Sequence, residues 1–419
     1  MMSKKPTTSR PVLHSLVCVV ACLSIVGQVC ADDWPNYRGP NRDGISKETG
    51  WNTTWPAEGP KVLWKASIGI GFASMAVVDG RVYAMGNRND QDTLYCFNAE
   101  TGDEIWKKSY ACPLYDKMHE GGPCSTPTVN GDAVYTFSKN GDAIRFDAAT
   151  GTIVWHKNLV EELGVKNLIW YFAGSVVPVG DLVIFSAGPS GTALRKSDGS
   201  VAWTSGTEVA GYATAVPATI DGQKCLVLVG AYEVFGVDPA DGKVLWRYPW
   251  EGYQEINAAD AVVIDGSTVF VSTGYNRGCT LLKIADGKVT EAWKNREMST
   301  QLNPAVFWNG YLYGFNGMIG MRGPGKGMLT CLDPKTGDEK WAQPGLGTGS
   351  AMLADGKLIV LGEAGKLAIV EASPDGYKEL ASAQILSGRC WTVPVLANGR
   401  IYARNAAGDL VCVDVRNQN

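Results

Sequence analysis

Eleven residues, CLDPKTGDEKW at 331–341, recur with few changes as CFNAETGDEIW at 96–106, RFDAATGTIVW at 145–155 and GVDPADGKVLW at 236–246. The tryptophans that close the motif fall at 106, 155, 203, 246, 293 and 341, so successive copies stand 49, 48, 43, 47 and 48 residues apart. Between motifs lies a second pattern, seen well in STPTVNGDAVYTFSKNGDAIRFD at 125–147. Short apolar runs are separated there by Asn-Gly pairs, which tolerate the positive φ of tight hairpins. Each unit therefore reads as four short antiparallel strands in a meander. Four strands repeating at this length predict a β-propeller blade. A solenoid needs shorter rungs, and a helical repeat needs a 3.6-residue apolar period that is absent.

Six units end in a motif tryptophan. Unit five stretches the pattern, with Gly287 six residues before Trp293 instead of four. A seventh unit (350–381) has the strands without the tryptophan, and an eighth (391–415) stops before its outer strand. The missing strand is expected at the other end, in GPKVLWKAS at 59–67 with Trp64, which closes the ring and removes its open edges. The expectation is an all-β, eight-bladed propeller, with seven blades as the alternative if unit seven is an insertion. Trp64, Trp106, Trp155, Trp203, Trp246, Trp293 and Trp341 are read as structural: each flat ring packs between blades and its N–H finds a backbone acceptor. Asp147, Asp238 and Asp333 start the motif turns, and Gly102, Gly151, Gly242 and Gly337 supply their positive φ.

The N-terminus is set apart. Lys4, Lys5 and Arg10 precede an apolar run from Val12 to Val29, and Val29-Cys30-Ala31 fits a cleavage site. Residues 1–31 read as a secretory signal peptide, 32–58 as an extended segment and 59–419 as one propeller domain. An uncleaved anchor and a lipoprotein signal at Cys22 are the other readings. The protein is expected to be exported, periplasmic or extracellular, monomeric, and without a membrane span once the signal is cut. Losing the three basic residues moves the formal charge from −4 to −7, which disfavours nucleic acid and anionic membranes as partners. Eight cysteines remain. Cys96, Cys331 and Cys412 occupy equivalent repeat positions and are expected as buried apolar residues, while Cys112 and Cys124 flank one loop and are the candidates for a disulfide.

The D-x-x-T-G-x-x-x-W motif resembles the tryptophan-docking motif of quinoprotein propellers, the pyrroloquinoline quinone (PQQ) repeats, over residues 59–415. DDWPNYRGPNRDGIS at 32–46 and the run from VEASPDGY to RNAAGDLVCVDVR resemble a secreted bacterial subgroup of them. The resemblance implies the fold. For function it implies two branches: PQQ-dependent dehydrogenases with calcium, and non-enzymatic propellers such as the scaffold lipoprotein of outer-membrane barrel assembly. The dehydrogenases carry adjacent cysteines over the quinone, calcium ligands beneath it and a catalytic Asp. This chain has no Cys-Cys pair and no Cys-x-x-Cys-His haem site.

Other chemistry is sparse. His119 lies with Asp116 and Glu120 in YDKMHEGGPC (115–124) and reads as part of a solvated loop; His156, after a motif tryptophan, reads as exposed. Two isolated histidines make no zinc site. There is no Gly-x-Ser-x-Gly elbow. GMIGMRGPGKG (317–327) lacks the hydroxyl residue of a phosphate loop and reads as a hairpin loop. PNRDG (40–44) falls short of a calcium loop. What remains is convergence: residues just before each innermost strand meet on one face of a propeller. The candidates for a binding funnel are Trp170, Tyr171, Tyr212, Glu255, Asn257, Asp260, Arg389 and Trp391, with Phe72, Phe172, Gln301 and Asn303 beside them. No catalytic, metal or cofactor residue is assigned. The reading is a binding or scaffold module for a protein or extracellular ligand. A PQQ-dependent oxidoreductase acting on alcohols or sugars, and a carbohydrate-binding module, are the alternatives.

Overall fold

The computed structural model describes residues 1–4, 32–56, 58–116, 119–319 and 325–417. The signal peptide, with Cys22, falls in 5–31, outside the described residues. Eight antiparallel sheets follow one another: 76–111, 128–158, 177–204, 216–249, 262–295, 306–343, 350–384, and 395–414 joined by Val62–Ser67. These are blades one to eight. The eighth is completed by the N-terminal strand, with Trp64 opposite Cys412 and Lys65 opposite Val411. The seven-blade alternative is thereby set aside, because unit seven is a full sheet of its own. The one helix among the described residues is a single turn, Leu159–Leu163, capped by Asn158 and by Gly164 in the left-handed region. No helix among the described residues is long and apolar enough to cross a membrane.

The motif tryptophans join consecutive blades. Trp64 donates its indole N–H to Ala99 O in blade one (3.0 Å), Trp106 to Ala148 O in blade two (3.2 Å) and Trp155 to Lys196 O in blade three (2.9 Å). Trp203 reaches Pro239 O (3.0 Å), Trp293 Pro334 O (2.8 Å) and Trp341 Ser373 O (2.8 Å). The acceptor always lies in the turn before the next blade's outer strand. The glycine of that turn has a second duty beyond its positive φ. A Cβ on Gly151 would stand 2.5 Å from the Trp106 ring, and one on Gly242 2.6 Å from Trp203. The turn thus needs glycine so that the preceding blade's indole can lie against it.

The segment before the first blade closes the channel. Trp34 pairs with Val77 in both directions and Pro35 O accepts Val129 N–H (2.8 Å). Arg42 donates to Val176 O (3.1 Å) and Arg38 to Ala305 O (2.7 Å). Ile45–Ser46 then runs parallel to Leu353–Ala354. Along the chain this strap touches blades one, two, six, three and seven, and so crosses from one side of the ring to the other.

The disulfide expectation fails. All eight cysteines from Cys96 to Cys412 are free thiols. Cys112 Sγ faces Asn140 Nδ2 at 3.5 Å, between blades one and two, whereas Cys124 is aimed at Gly122 O (3.8 Å) on the channel wall. Flanking one loop does not bring their side chains together. Cys96, Cys331 and Cys412 are fully buried in the sheets, as the repeat requires.

Candidate functional site

The inner strands begin on hydroxyl residues that form a belt around the channel. Ser74 N–H donates to Thr126 Oγ1 (3.0 Å), Thr126 N–H to Ser175 Oγ (2.9 Å) and Ser175 N–H to Thr214 Oγ1 (3.0 Å). Thr214 N–H ends the run on Asp260 Oδ1 (2.7 Å). On the other side Ser74 Oγ donates to Val393 O (2.8 Å), and Thr392 Oγ1 to Phe72 O (3.0 Å). Each blade's backbone is thus satisfied by its neighbour's side chain. These hydroxyls are engaged in holding the ring, and none is positioned as an activated nucleophile.

Above the belt opens a cavity of about 180 Å³. Phe72 and Trp391 stack along one wall, centroids 5.2 Å apart at 26°. His119 stands edge-on to Phe72 (5.4 Å, 77°) and 5.7 Å from Trp170. Tyr212 and Tyr275 complete the far wall. The strap supplies the floor: Tyr37 lines the cavity and its hydroxyl lies 3.5 Å from Asn303 Oδ1. Among the described residues the strap thus stands across the end of the cavity opposite the funnel face.

The structure sorts the expected residues. Trp170, Tyr212, Asp260 and Trp391 line the cavity, as do Phe72, Gln301 and Asn303. Arg389 sits behind it, its guanidinium 4.4 Å from the centre of the Trp391 ring and 2.6 Å from Glu120 Oε2. Glu255 is at the lip, accepting the Tyr232 hydroxyl. Tyr171 turns aside to pack on Tyr115 (4.7 Å), and Phe172 lies in the core between blades two and three. Asn257 is structural: its amide donates to Gly230 O, Ala231 O and Trp250 O, and its Oδ1 accepts Thr273 Oγ1.

His119 is a correction. Its ring is half-buried and lies against Phe72, Trp170 and Trp391 instead of in open solvent. Burial pulls its pKa down to about 4, aided by the charge of Lys139, so it is neutral at pH 7. Nδ1 accepts Gly121 N–H (3.0 Å), leaving Nε2 to carry the proton. His156 is exposed, 2.9 Å from Asp142. Asp260 is pushed up to about 6 by burial, against the opposing pull of Arg38, the Thr214 N–H and Arg42. Sequence reasoning missed Tyr37, Tyr275 and the hydroxyl belt. The belt has a signal: Ser74, Thr126, Ser175, Thr214 and Asp260 fall at matching places in successive units.

Fold and site together define an eight-bladed propeller of the PQQ-repeat class with an aromatic funnel. The profile of the family described as outer membrane protein assembly factor BamB matches residues 48–185 and 119–343, together more than half of the chain. The chain belongs to this PQQ-type propeller family. It is 26% identical over 255 residues to the tetrathionate hydrolase of Acidithiobacillus ferrooxidans, matching 56% of this chain and only 47%, about half, of the hydrolase. It is 20% identical over 373 residues to the outer membrane protein assembly factor BamB of Shewanella oneidensis, covering 74% of this chain and 89% of that protein. Among solved structures, the quinohemoprotein alcohol dehydrogenase of Comamonas testosteroni superposes with a TM-score of 0.65 at 14% identity, covering 92% of this chain and 81% of its own. That likeness is one of fold.

The family's dehydrogenases raise the question of a quinone with calcium. Among the described residues no three His, Cys, Asp or Glu gather as a metal-holding group. The one carboxylate lining the cavity, Asp260, is engaged by Thr214 and neighboured by Arg38 and Arg42. Cys124, the one cysteine lining the cavity, has no cysteine beside it in the chain. The residues present do not fit a calcium-bound quinone.

Proposed function

We propose that this is an exported propeller, periplasmic or extracellular, that works as a binding or scaffold module and holds a protein partner on its funnel face. The observation that carries the reading is the contrast between the two ends of the channel. The strap seals one end with backbone pairing and buried arginines, while the other opens through exposed apolar side chains into an aromatic cavity. Large apolar groups left at the surface around a cavity are typical of interaction sites. Similarity to BamB proteins supports a partner that is itself a protein.

The test is photocrosslinking in the native envelope. A photoreactive residue at Ile169 or Tyr232, on the funnel lip, is expected to capture a discrete protein. The same residue at Lys340 or Glu104, on outer strands, is expected to capture none. Crosslinks from the outer strands alone would move the docking surface away from the funnel. The rival, a PQQ-dependent oxidoreductase, is checked by titrating the purified protein with PQQ and Ca²⁺ while following tryptophan fluorescence. Saturable, calcium-dependent quenching would replace the scaffold reading.

A further inference from the structure

We propose that the funnel cavity receives one aromatic side chain of the partner polypeptide, with a neighbouring Lys or Arg meeting Glu255 and Glu251 at the lip. This rests on the reading that the funnel face holds a protein, and it names the chemistry that the face would recognise.

Size comes first. A dry apolar cavity of about 150 Å³ accommodates benzene, and the cavity here is about 180 Å³. It suits one phenyl, phenol or indole group. The walls suit a flat ring as well. Phe72 and Trp391, stacked on each other, line it together with Trp170, Tyr212 and Tyr275, so an entering ring finds aromatic groups to pack on. Such rings in deep pockets are the usual anchors of protein interfaces.

The lip explains why the ring would arrive on a larger molecule. Ile169, Tyr232, Tyr253 and Met318 are 51%, 48%, 44% and 49% exposed. Tyr253 packs at a tilt against the cavity residue Tyr275 (5.1 Å, 38°), and Ile169 adjoins Trp170. A free small molecule inside the cavity would leave all four in water. A polypeptide whose side chain enters the cavity would cover them.

Charge fixes the flanking residue. Glu255 accepts the Tyr232 hydroxyl, and Glu251 and Glu208 add to the negative field that pushes this phenol's pKa up. Glu208 is taken by Lys166 at 2.6 Å. Among the described residues neither Glu251 nor Glu255 has a basic partner, and Glu255 also acts on the cavity residue Tyr212. An incoming cation would pair with this arc and could lie over the Tyr232 ring.

The experiment is calorimetry on the full chain with three acetylated, amidated pentapeptides: Gly-Lys-Phe-Lys-Gly, Gly-Lys-Ala-Lys-Gly and Gly-Glu-Phe-Glu-Gly. The first is expected to bind at least about tenfold tighter than the other two. Tyr275→Ala and Glu255→Gln are each expected to weaken it by about tenfold in protein whose circular dichroism is unchanged. Trp391 itself is buried and bonded to Glu363 and so belongs to the packing of its blade, whereas Tyr275 and Glu255 are less enclosed. Equal binding of the Phe and Ala peptides, preference for the Glu peptide, or no saturable heat up to millimolar peptide would overturn the inference. So would saturable binding of an oligosaccharide, lost in Trp170→Ala, with no peptide binding. If crosslinks from Tyr232 persist while the peptides fail, the anchor falls alone. If both fail, the docking reading falls with it.

Discussion

The junction between blades one and two differs from that between blades four and five, although the sequence repeats the same motif at both. At the first, Trp106 lies against Gly151 and donates to Ala148 O. At the second, Trp246 is buried more deeply than the half-buried Trp106, yet its indole N–H has no partner. The cause is the turn on the receiving blade. Blade five joins its last strands, Gly278–Ala285 and Lys288–Asn295, through Asp286 and Gly287 alone, at φ of 51° and 69°. Two positive-φ residues make the tightest hairpin turn. The longer turns elsewhere project a carbonyl toward the preceding blade, and this one does not. The stretched spacing before Trp293 is the trace of that difference in the sequence. The seventh junction departs further, for blade seven has no motif tryptophan. There the strap pairs with blade seven through Ile45–Ser46, and Glu48 accepts the N–H groups of Asn398 and Gly399 in blade eight. The motif is one solution to joining blades, and the molecule uses at least two others.

The sharpest way to break this comparison is at Glu48, which is fully buried. Glu48→Ala leaves two backbone donors of blade eight without acceptors, and each such loss costs about 1–3 kcal/mol. The expected destabilisation is about 4 kcal/mol, read as a lowered urea midpoint. A change under about 1 kcal/mol would mean that the strap does not fasten the seventh junction. Next comes a pair of glycines. Gly151→Ala forces both a left-handed alanine (φ 72°) and an overlap with the Trp106 ring, about 3 kcal/mol together. Gly287→Ala meets nothing nearer than Leu245 O at 3.8 Å, so it carries only the backbone strain, about 1 kcal/mol. Equal costs would show that the indole contact adds nothing.

Much of this was legible because a repeat reports the same physics several times. Trp106, Trp155 and Trp203 with their turns announce a four-stranded unit, and Trp64 without a blade before it announces how the ring closes. The strap was not legible. Residues 32–48 have no period, and their contacts are to carbonyls, as with Arg38 on Ala305 and Arg42 on Val176, which any residue can offer. The funnel was half legible. Residues before inner strands must converge, which found Trp170, Tyr212, Asp260 and Trp391. Whether a side chain then points in or aside is decided by local backbone. Tyr171 is held at φ 65° and turns away, and the His119 ring is turned in against Phe72 and Trp391.

Asp260 sharpens the comparison at the channel end of the fourth junction, where it holds Thr214 N–H. Its pKa is raised from 3.8 to about 6, chiefly by burial. The folded protein therefore binds the proton more tightly than the unfolded chain, and stability falls as pH rises from about 4 to about 6. For one group with these values the loss across that window is about 2 kcal/mol. Asp260→Asn is expected to flatten this part of the curve in urea titrations at pH 4, 5 and 6. A slope unchanged by the substitution would show that Asp260 has the same pKa in the folded and unfolded states.

The smallest effect tests the comparison most directly. Trp155→Phe and Trp246→Phe remove the same atoms from equivalent positions, and both rings are buried to the same degree. They differ in one bond: Trp155 donates to Lys196 O, and Trp246 donates to nothing. The first change removes one of the two hydrogen bonds that Lys196 O accepts, the other coming from Arg145 Nη1 (3.0 Å). The second removes a buried N–H that was already unpaired, which recovers part of what the smaller ring loses. Trp155→Phe should therefore cost about 1 kcal/mol more than Trp246→Phe, measured as the difference in unfolding free energy from urea titrations of the two variants. Because the apolar loss is common to both, it cancels in the difference, and what remains belongs to the hydrogen bond across the junction. Equal costs would mean that the blades are held by the indole faces alone, and that the turn of blade five, for all its difference in length, is no weaker a partner than the rest.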